Sequence, residues 1–339
     1  MPADSKSPSL VRDLVTLQGQ ILAQQARHPE ATGTLSWLLS ALSISAKIIA
    51  SHVRRARLED VLGAVGSSNV QGEQQQKLDV IANEVLLRTL GRREGVAIIA
   101  SEENEEPMIL RTEKDGKARY CVLFDPLDGS SNLDVCGAVG TIFSILRYDR
   151  RAAHAEDSLL QPGSSQVAAG YILYGPSTVF TFTIGNGVDM FVLDPAIGAF
   201  VHVERELRIP ASGKSYSVNE GNRLGFPAGY QAYLDFAQNN GYSSRYAGAM
   251  VADVHRTLLK GGVFLYPPTT KAPAGKLRLM YEANPMAMLV EQAGGKALAG
   301  PGQRILDERP TNIHQRTPVI IGSPDEVDLV IQHLQASGA

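Results

Sequence analysis

Residues 120–131 read Tyr-Cys-Val-Leu-Phe-Asp-Pro-Leu-Asp-Gly-Ser-Ser, so a continuous apolar run is followed at once by two aspartates. A short apolar run without polar alternation is typical of a strand that is buried on both faces of a sheet. A second such run, residues 96–100, is followed by Ser101 and then by Glu102 and Glu103. Open α/β sheets bind ligands beyond the carboxyl ends of their strands. The two runs therefore predict an α/β fold in which four carboxylates meet at one sheet edge.

The rest of the chain supplies helices and further strands around these two runs. Apolar residues at steps of three and four predict a long helix over residues 34–57, and a Gly- and Ser-rich stretch predicts a loop over residues 63–72. Turn residues break up apolar runs between residues 167 and 203, which indicates a β-meander. The same signals predict further helices over residues 73–90, 228–240, 250–260 and 325–335, a strand over residues 319–321, and a helix capped by Asn284 with Pro285 at its first position. We place a domain boundary between residues 1–208 and 209–339.

Composition limits the function classes. The 339 residues include 32 Lys and Arg against 35 Asp and Glu, a net charge of −3, which leaves no general electrostatic attraction for nucleic acid or an anionic membrane. No stretch of about 18 consecutive apolar residues predicts a membrane span. Two cysteines are too few for a secreted disulfide framework. We therefore expect a cytoplasmic protein that acts on a small molecule.

The chemistry of the acidic residues narrows this expectation. Four carboxylates without histidine or cysteine favour Mg²⁺ or Mn²⁺, and so rich a cluster indicates more than one ion. Divalent ions of this kind bridge phosphate oxygens and activate water for attack. The following residues Gly129, Ser130 and Ser131 offer backbone amides and hydroxyls to a phosphate group. The sequence thus predicts a metal-dependent site for a phosphate ester.

At this point the sequence resembles a known family. Asp-Pro-Leu-Asp-Gly-Ser-Ser with the upstream Glu-Glu pair is similar to the signature of the magnesium-dependent, lithium-sensitive sugar and inositol phosphatases. The wider motifs resemble the bacterial form of class I fructose-1,6-bisphosphatases, and they lie at residues 124–132, 140–143, 219–221, 250–256 and 275–285. The likeness runs from about residue 10 to residue 335. It implies an α/β fold of α+β character, layered as an α/β/α/β/α sandwich.

The resemblance also implies roles for the acidic residues. It assigns the metal ligands, for two to three Mg²⁺ or Mn²⁺ ions, to Glu102, Asp125, Asp128, Glu282 and the backbone carbonyl of Leu127. It assigns the orientation and deprotonation of the attacking water to Asp79 and Glu103. Glu73, at a position where many members have aspartate, is expected to contact a third ion.

Further positions match the family's substrate contacts. Asp128, Gly129, Ser130 and Ser131 are expected at the 1-phosphate, and the site of the 6-phosphate and the sugar is expected to include Asn219, Arg245, Tyr246, Tyr266 and Lys276. A guanidinium fork and phenol hydroxyls suit phosphate oxygens. In the family the arginine comes from the neighbouring subunit, so the match implies at least a dimer, and we expect a homotetramer.

A regulatory site is implied by the N-terminal helices, where the family binds AMP. Part of that site matches here, at Thr32, Gly33, Arg119, Tyr120 and Arg147. Thr34, however, stands where AMP-inhibited relatives carry glutamate. We expect AMP inhibition to be weak or absent.

The expected reaction is hydrolysis of fructose 1,6-bisphosphate to fructose 6-phosphate and phosphate, in gluconeogenesis or Calvin-type sugar phosphate metabolism. The nearest alternative is sedoheptulose-1,7-bisphosphatase activity, alone or as a second activity, because one pocket can accept one more carbon. A non-catalytic, metabolite-sensing regulatory subunit is a third hypothesis. The presence of every expected ligand and of the Asp79 and Glu103 pair argues against it.

Overall fold

The computed structural model describes residues 14–26, 33–59, 61–68, 74–112 and 116–338. Within these ranges the α-helices are α1 Leu17–Ala26, α2 Thr34–Arg55, α3 Lys77–Gly91, α4 Ala228–Asn239, α5 Met250–Lys260, α6 Asn284–Gln292 and α7 Pro324–Ala336. The strands are β1 Ala64–Ser68, β2 Gln74–Gln76, β3 Val96–Ser101, β4 Met108–Ile109, β5 Tyr120–Asp128, β6 Val139–Arg147, β7 Gln166–Tyr174, β8 Thr178–Thr183, β9 Asp189–Asp194, β10 Ala199–Glu204, β11 Ser215–Ser217, β12 Ser243–Ser244, β13 Val263–Tyr266, β14 Leu277–Arg278, β15 Lys296–Gly300, β16 Gln303–Arg304, β17 Arg316–Thr317 and β18 Val319–Gly322.

The first sheet has eight strands in the order β10-β9-β8-β7-β6-β5-β3-β4. Strands β5 to β10 follow one another as antiparallel neighbours, so the predicted β-meander is confirmed and extended on its N-terminal side by β5 and β6. The two apolar runs form β3 and β5, which are parallel neighbours and buried along their full lengths. Their carboxyl ends therefore lie side by side, as the sequence predicted.

The second sheet is smaller and has the order β12-β11-β13-β18-β15-β16. Strands β11, β12 and β13 are parallel, whereas β18 and β15 run antiparallel to their neighbours. Two short pairs, β1 with β2 and β14 with β17, stand outside both sheets.

Helices separate and cover the sheets, which gives five layers. Helices α2 and α3 pack on one face of the first sheet, and α5 and α6 lie between the two sheets. Helices α4 and α7 pair on the outer face of the second sheet. Three clusters of buried apolar side chains fill the interlayer contacts, and one of them serves both faces of the middle helical layer, as expected for faces that must all leave water. The α/β/α/β/α sandwich is confirmed.

Three local predictions differ from the structure. Helix α3 begins at Lys77 rather than at residue 73, with Asp79 capping its first turn. Residues 64–68 are a strand, not part of a loop, because they pair with Gln74–Gln76. Asn284 does not cap a helix that starts afresh. A π-helical turn, Leu279–Ala283, runs directly into α6, so Asn284 lies inside a continuous helical segment.

Helix α2 has the length and apolar composition of a membrane span, with a mean hydropathy of 1.4 over 18 residues. Its stripe of Leu38, Leu42 and Ile49 is buried against the rest of the structure. Core helices pass the same test of length and composition, so this is weak evidence for a span.

Candidate active site

A cavity of about 390 Å³ opens where the carboxyl ends of β3 and β5 meet the middle layer and the second sheet. Most of the residues implied for metal and substrate binding line it. Its walls are formed by Glu102, Glu103, Asp125, Leu127, Asp128, Gly129, Ser130, Ser131, Tyr246, Gly248, Ala249, Met250, Asp253, Phe264, Tyr266, Lys276, Leu277, Arg278 and Glu282. Six of these are acidic and two are basic, so the cavity carries an excess of negative charge.

The negative charge of the cavity is concentrated on three buried carboxylates. One oxygen each from Asp125, Asp128 and Glu282 lies within 4.8 Å of the other two. Asp125 and Asp128 belong to β5, whereas Glu282 comes from the π-helical turn before α6. Carboxylate oxygens this close to one another suit a hard divalent cation.

A β-bulge brings the two aspartates together. Asp125 pairs with Ile142 and Asp128 pairs with Gly140, so three steps on β5 oppose two on β6. In a regular strand, residues three apart point to opposite faces, and the extra residue of a bulge corrects this. Pro126 lies in the bulge, where its missing N–H costs no ladder bond.

Hydrogen bonds from the backbone fix each carboxylate. Asp125 Oδ1 accepts the N–H of Leu127 at 2.9 Å, and Asp128 Oδ2 accepts the N–H of Val251, at the start of α5, at 2.7 Å. Glu282 Oε2 accepts the N–H of Arg278 at 2.6 Å. Burial and the neighbouring carboxylates raise the pKa of Asp125, and burial together with Glu282 raises the pKa of Asp128 to about 7. Such shifts mark carboxylates held together without enough positive charge.

Glu102 faces a cationic side chain of the same chain, that of Arg278. Its carboxylate forms an ion pair with Arg278, and both side chains are almost completely buried. Arg278 Nη1 also lies 4.0 Å from Glu282 Oε2. Arg278 lies within the sequence motif at residues 275–285, but the family resemblance assigns it no role. The available signal was its spacing, because Lys276 and Arg278 are two residues apart on an extended segment and so share one face.

The turn after β5 is packed too tightly for any residue but glycine. Gly129 has φ 74°, and a Cβ there would overlap Ala249 Cβ. The following 3-10 turn, Ser130–Val135, leaves Ser130 and Ser131 on the cavity wall. Asn132 Nδ2 donates to the carbonyl of Ala247 at 3.0 Å, which ties this turn to the segment before α5.

The first turn of α5 contains a buried aspartate, Asp253, to which the sequence analysis assigned no role. Asp253 accepts the N–H groups of Ala247 at 2.8 Å and Gly248 at 3.2 Å. Burial raises its pKa above the ordinary range for aspartate. An acidic residue in the first turn of a helix often accepts N–H groups of the backbone that precedes the helix. The sequence alone does not show that the loop before α5 folds back far enough for such contacts. Asp253 thereby shapes the loop that carries Tyr246.

The residues expected to activate water are not all at the cavity. Glu103 is half-buried and lines it. Asp79 is buried on α3, where one of its oxygens accepts the N–H of Gln76 at 2.8 Å, and it is not part of the cavity wall. Glu73 lies outside the described residues.

Of the residues implied for substrate binding, some line the cavity and others do not. Tyr246, Tyr266 and Lys276 line the cavity. Asn219 lies beside it and contacts the Tyr246 hydroxyl. Arg245 is exposed and is not part of the cavity wall of its own chain.

The residues implied for AMP lie far from this cavity, around the start of α2. Gly33 precedes α2 with φ 72°, and the adjacent Thr34 occupies the space that a Cβ at Gly95 would need, with Arg119 close to the same point. Arg147 pairs with Tyr120 across β5 and β6, and its guanidinium carbon lies 6.0 Å from the centre of the Tyr120 ring. Thr32 lies outside the described residues.

Comparisons with known proteins agree with this architecture. Residues 15–205 match the family description "Fructose-1-6-bisphosphatase, N-terminal domain", and residues 209–335 match its C-terminal domain. The chain is 50% identical over 324 residues to a class 1 fructose-1,6-bisphosphatase of Chlorobium chlorochromatii, covering 93% of this chain and 96% of that one.

Solved structures agree as well. Fructose-1,6-bisphosphatase of Leishmania major in its holo form superposes with a TM-score of 0.89 at 40% identity, over 95% of this chain and 99% of that one. Its apo form gives a TM-score of 0.84 at the same identity, over 94% and 99%. With both domains matched and half of the residues identical to those of a relative, the chain belongs to the fructose-1,6-bisphosphatase family of phosphatases.

Proposed function

We propose that the protein hydrolyses the 1-phosphate of fructose 1,6-bisphosphate, releasing fructose 6-phosphate and phosphate, with the aid of divalent cations. One observation carries the proposal. Three carboxylates from two distant segments, Asp125, Asp128 and Glu282, converge beside the amide-rich turn Gly129–Ser131. An acidic cluster alone would repel a phosphate ester, so cations are needed to bring the two together.

The donor set fits Mg²⁺, with Mn²⁺ as a second candidate. Asp125, Asp128, Glu282 and the Leu127 carbonyl would hold such ions, two to three per subunit, and Glu102 would join them by parting from Arg278. Bound ions would neutralise the phosphate oxygens and the departing oxygen. The raised pKa of Asp125 and Asp128 supports this assignment, because burial and the neighbouring carboxylates disfavour their charged forms and a bound cation would favour them.

The protein's own groups would supply the remaining chemistry. Glu103, on the cavity wall, accepts a proton from the water that attacks phosphorus. A bond forms from the water oxygen to phosphorus as the bond from phosphorus to the C1 oxygen breaks, and the C1 oxygen leaves with the bonding electrons and takes up a proton to become the hydroxyl of fructose 6-phosphate. Amides of the Gly129–Ser131 turn and the charges of Lys276 and Arg278 hold phosphate oxygens. Asp79, which is buried on α3 and accepts the N–H of Gln76, would orient the attacking water together with Glu103.

Steady-state kinetics test the activity and the base together. Glu103→Gln should lower kcat by about 10² to 10⁴-fold with little change in KM, since the variant keeps the shape but cannot take a proton. Glu106→Gln, an exposed neighbour outside the cavity wall, should behave as wild type. Excess chelator should abolish turnover. Equal rates for Glu103→Gln and wild type would remove Glu103 from the mechanism.

Substrate choice is tested by comparing fructose 1,6-bisphosphate with sedoheptulose 1,7-bisphosphate. We expect the first to have the higher kcat/KM, and comparable values would establish a dual-specificity enzyme. Release of phosphate from neither under saturating Mg²⁺ would contradict the proposed function and favour a regulatory subunit.

We further propose that the protein is a homo-oligomer, at least a dimer and in full a tetramer, in which Arg245 binds the 6-phosphate at a neighbour's cavity. The exposed position of Arg245, away from its own cavity, supports this. Tyr246, Tyr266, Lys276 and Asn219 would complete that phosphate site, with Asn219 acting through the Tyr246 hydroxyl.

Subunit mixing gives a direct test. Arg245→Ala subunits and Glu103→Gln subunits should each be poorly active alone. After dissociation and mixing, a hybrid pair has one site with both Glu103 and a partner's Arg245, so activity should reappear. No gain on mixing, in samples shown by native mass spectrometry to contain hybrids, would place Arg245 outside the neighbour's site.

The remaining assignments are also proposals. We assign residues 1–208 to a metal-site and regulatory half and residues 209–339 to a substrate-binding half. We propose a cytoplasmic location, supported by Cys121 and Cys136, which form no disulfide. We propose that Gly33, Arg119, Tyr120 and Arg147, with Thr32, form a weak AMP site. Half-inhibition by low micromolar AMP would contradict the weakness of that site.

A further inference from the structure

The proposed mechanism does not use His314, a half-buried histidine in the segment before β17. His314 is not part of the wall of the catalytic cavity. Its ring nevertheless contacts both segments that carry acidic residues of the site. One is the turn after β3, which holds Glu102 and Glu103, and the other is the π-helical turn, which holds Glu282.

The contact with the turn after β3 is made by one ring nitrogen. His314 Nε2 lies 3.1 Å from the carbonyl oxygen of Asn104 and 3.3 Å from that of Glu105. A carbonyl oxygen can only accept, so Nε2 must carry a proton and donate to both. Burial lowers the pKa of His314, so at pH 7 the ring is neutral and its one proton is on Nε2. The turn after β3 is therefore tethered by a donor from the second half of the chain.

The ring of His314 is itself held in place. Its backbone N–H donates to Asn312 Oδ1 at 3.0 Å. The next residue, Gln315, accepts at its carbonyl the N–H of Leu279, the first residue of the π-helical turn, at 2.7 Å. The fully buried Tyr281 ring packs against the imidazole, with 5.5 Å between the ring centroids. The imidazole thus joins the turn after β3 to the turn that carries Glu282.

Helix α3 holds the same turn through a second contact. Asn83 Nδ2 donates to Asn104 Oδ1 at 2.9 Å. Asn83 follows Asp79 by four residues, so the two side chains lie on one face of α3. Glu103 directly precedes Asn104. The backbone and side chain of Asn104 therefore fix Glu103 relative to both α3 and the second half of the chain.

We propose that His314 is a positioning residue for the hydrolysis, whose Nε2–H holds the turn after β3 where Glu103 reaches the attacking water. The inference rests on the proposed function, because His314 acts on Glu103 and not on the reacting atoms. A displacement of about 1 Å at a reacting group can cost roughly 10²-fold in rate. Because the same ring packs on the π-helical turn, Glu103 and Glu282 are positioned as one unit.

Steady-state kinetics of two substitutions test the donor. His314→Leu fills similar space without an N–H, and it should lower kcat for fructose 1,6-bisphosphate by about 10 to 100-fold while KM changes less than about threefold. His314→Gln places an amide N–H near the position of Nε2 and should recover most of this loss. His154→Leu, at an exposed histidine, should behave as wild type. Equal kcat values for His314→Leu and wild type, or no recovery in a folded His314→Gln, would overturn the inference.

A double-mutant cycle shows whether the effect passes through Glu103. In the Glu103→Gln background, His314→Leu should lower kcat further by less than about threefold, because the base that it would displace is already lost. Losses of equal size in both backgrounds would mean that His314 acts on overall folding or on another group, and this result would overturn the inference.

Hydrogen exchange provides a readout that needs no turnover. In the metal-free protein, amides of residues 102–108 should exchange at least about tenfold faster in His314→Leu than in wild type or His314→Gln, because the turn loses its tether. Amides of α4, in the outer layer, should exchange equally in all three. Unchanged exchange at residues 102–108 would overturn the inference. If wild type released no phosphate from either bisphosphate, the proposed function would fail, and exchange would still decide whether His314 holds the turn.

Discussion

Single residues in the catalytic cavity are placed by charge balance. Six acidic residues line this cavity together with two basic ones, Lys276 and Arg278. One of the acids, Glu102, forms a buried ion pair with Arg278. Burying an ion pair costs free energy because both charges lose their water. Removing one partner costs more, because the other charge then stays buried without compensation. Arg278 therefore neutralises part of the negative charge of the site when divalent cations are absent.

Replacing Arg278 tests this balance. Arg278→Gln should destabilise the metal-free protein by about 3 kcal/mol, since Glu102 loses its partner. Added Mg²⁺ should raise the Tm of the variant more than that of wild type, because cations then replace the missing charge. Arg88→Gln, which breaks an exposed pair with Glu84, is the matched control and should change little. Equal Mg²⁺ shifts for Arg278→Gln and wild type would contradict the idea.

Gly129 tests the packing of the signature turn. Gly129→Ala should cost about 2 kcal/mol or more, because its Cβ would overlap Ala249 at a positive φ. Gly198→Ala has a similar φ of 63° but open space around it, so it should cost only about 1 kcal/mol. Urea unfolding of both variants measures the difference. Equal losses would mean that backbone strain alone, and not contact with Ala249, excludes a side chain.

Secondary structure elements aim the carboxylates, and they do so through irregularities. The bulge in β5 puts Asp125 and Asp128 on one face, and the π-helical turn presents Glu282 just before α6. The sequence predicted both strands and α6, but it placed a helix cap at Asn284 because Asn followed by Pro is the usual start signal. Packing of the preceding turn against the first sheet overrides that signal.

Helix α5 contacts the first sheet through a partly buried hydrogen bond that makes the stability of the protein depend on pH. The Tyr171 hydroxyl lies 2.7 Å from His255 Nδ1, and burial lowers the pKa of His255 to about 4. In the unfolded chain His255 binds a proton below about pH 6.5. Between pH 6.5 and 4 the unfolded state therefore holds more protons, and stability falls as the pH falls, by about 1 to 3 kcal/mol.

Urea midpoints between pH 4.5 and 7 measure this effect. His255→Gln should lower stability at pH 7 but flatten the loss toward acid, since glutamine does not titrate. His154→Gln, at an exposed histidine, should keep the wild-type pH dependence. An unchanged acid slope in His255→Gln would assign the effect to other groups.

At the scale of the whole molecule, the middle layer joins the two halves of the chain. Its core contains Leu123 and Tyr171 from the first half and Val254, Met286 and Ile321 from the second. The Val251 N–H of the second half also fixes Asp128 of the first. The catalytic cavity is therefore a product of both halves, although each half matches its own family domain.

Separating the halves should expose this shared core. Residues 1–208 expressed alone should lack a cooperative thermal transition and should bind a hydrophobic dye, because one face of the first sheet loses its cover. Co-expression with residues 209–339 should restore the transition. A cooperative melt of the isolated fragment would show that the middle layer is dispensable for folding the first sheet.

The amino-acid sequence by itself determined the kinds of layer, the two buried strands and the acidic residues that follow them, because apolar periodicity and strand ends are local properties. It also pointed to the family through motifs that are contiguous in the chain. Only the tertiary structure decided that Glu102 faces Arg278, that Asp79 caps the first turn of α3, and that Asp253 shapes the loop of Tyr246. These outcomes depend on which distant groups share a buried space, where desolvation makes the nearest partner decisive.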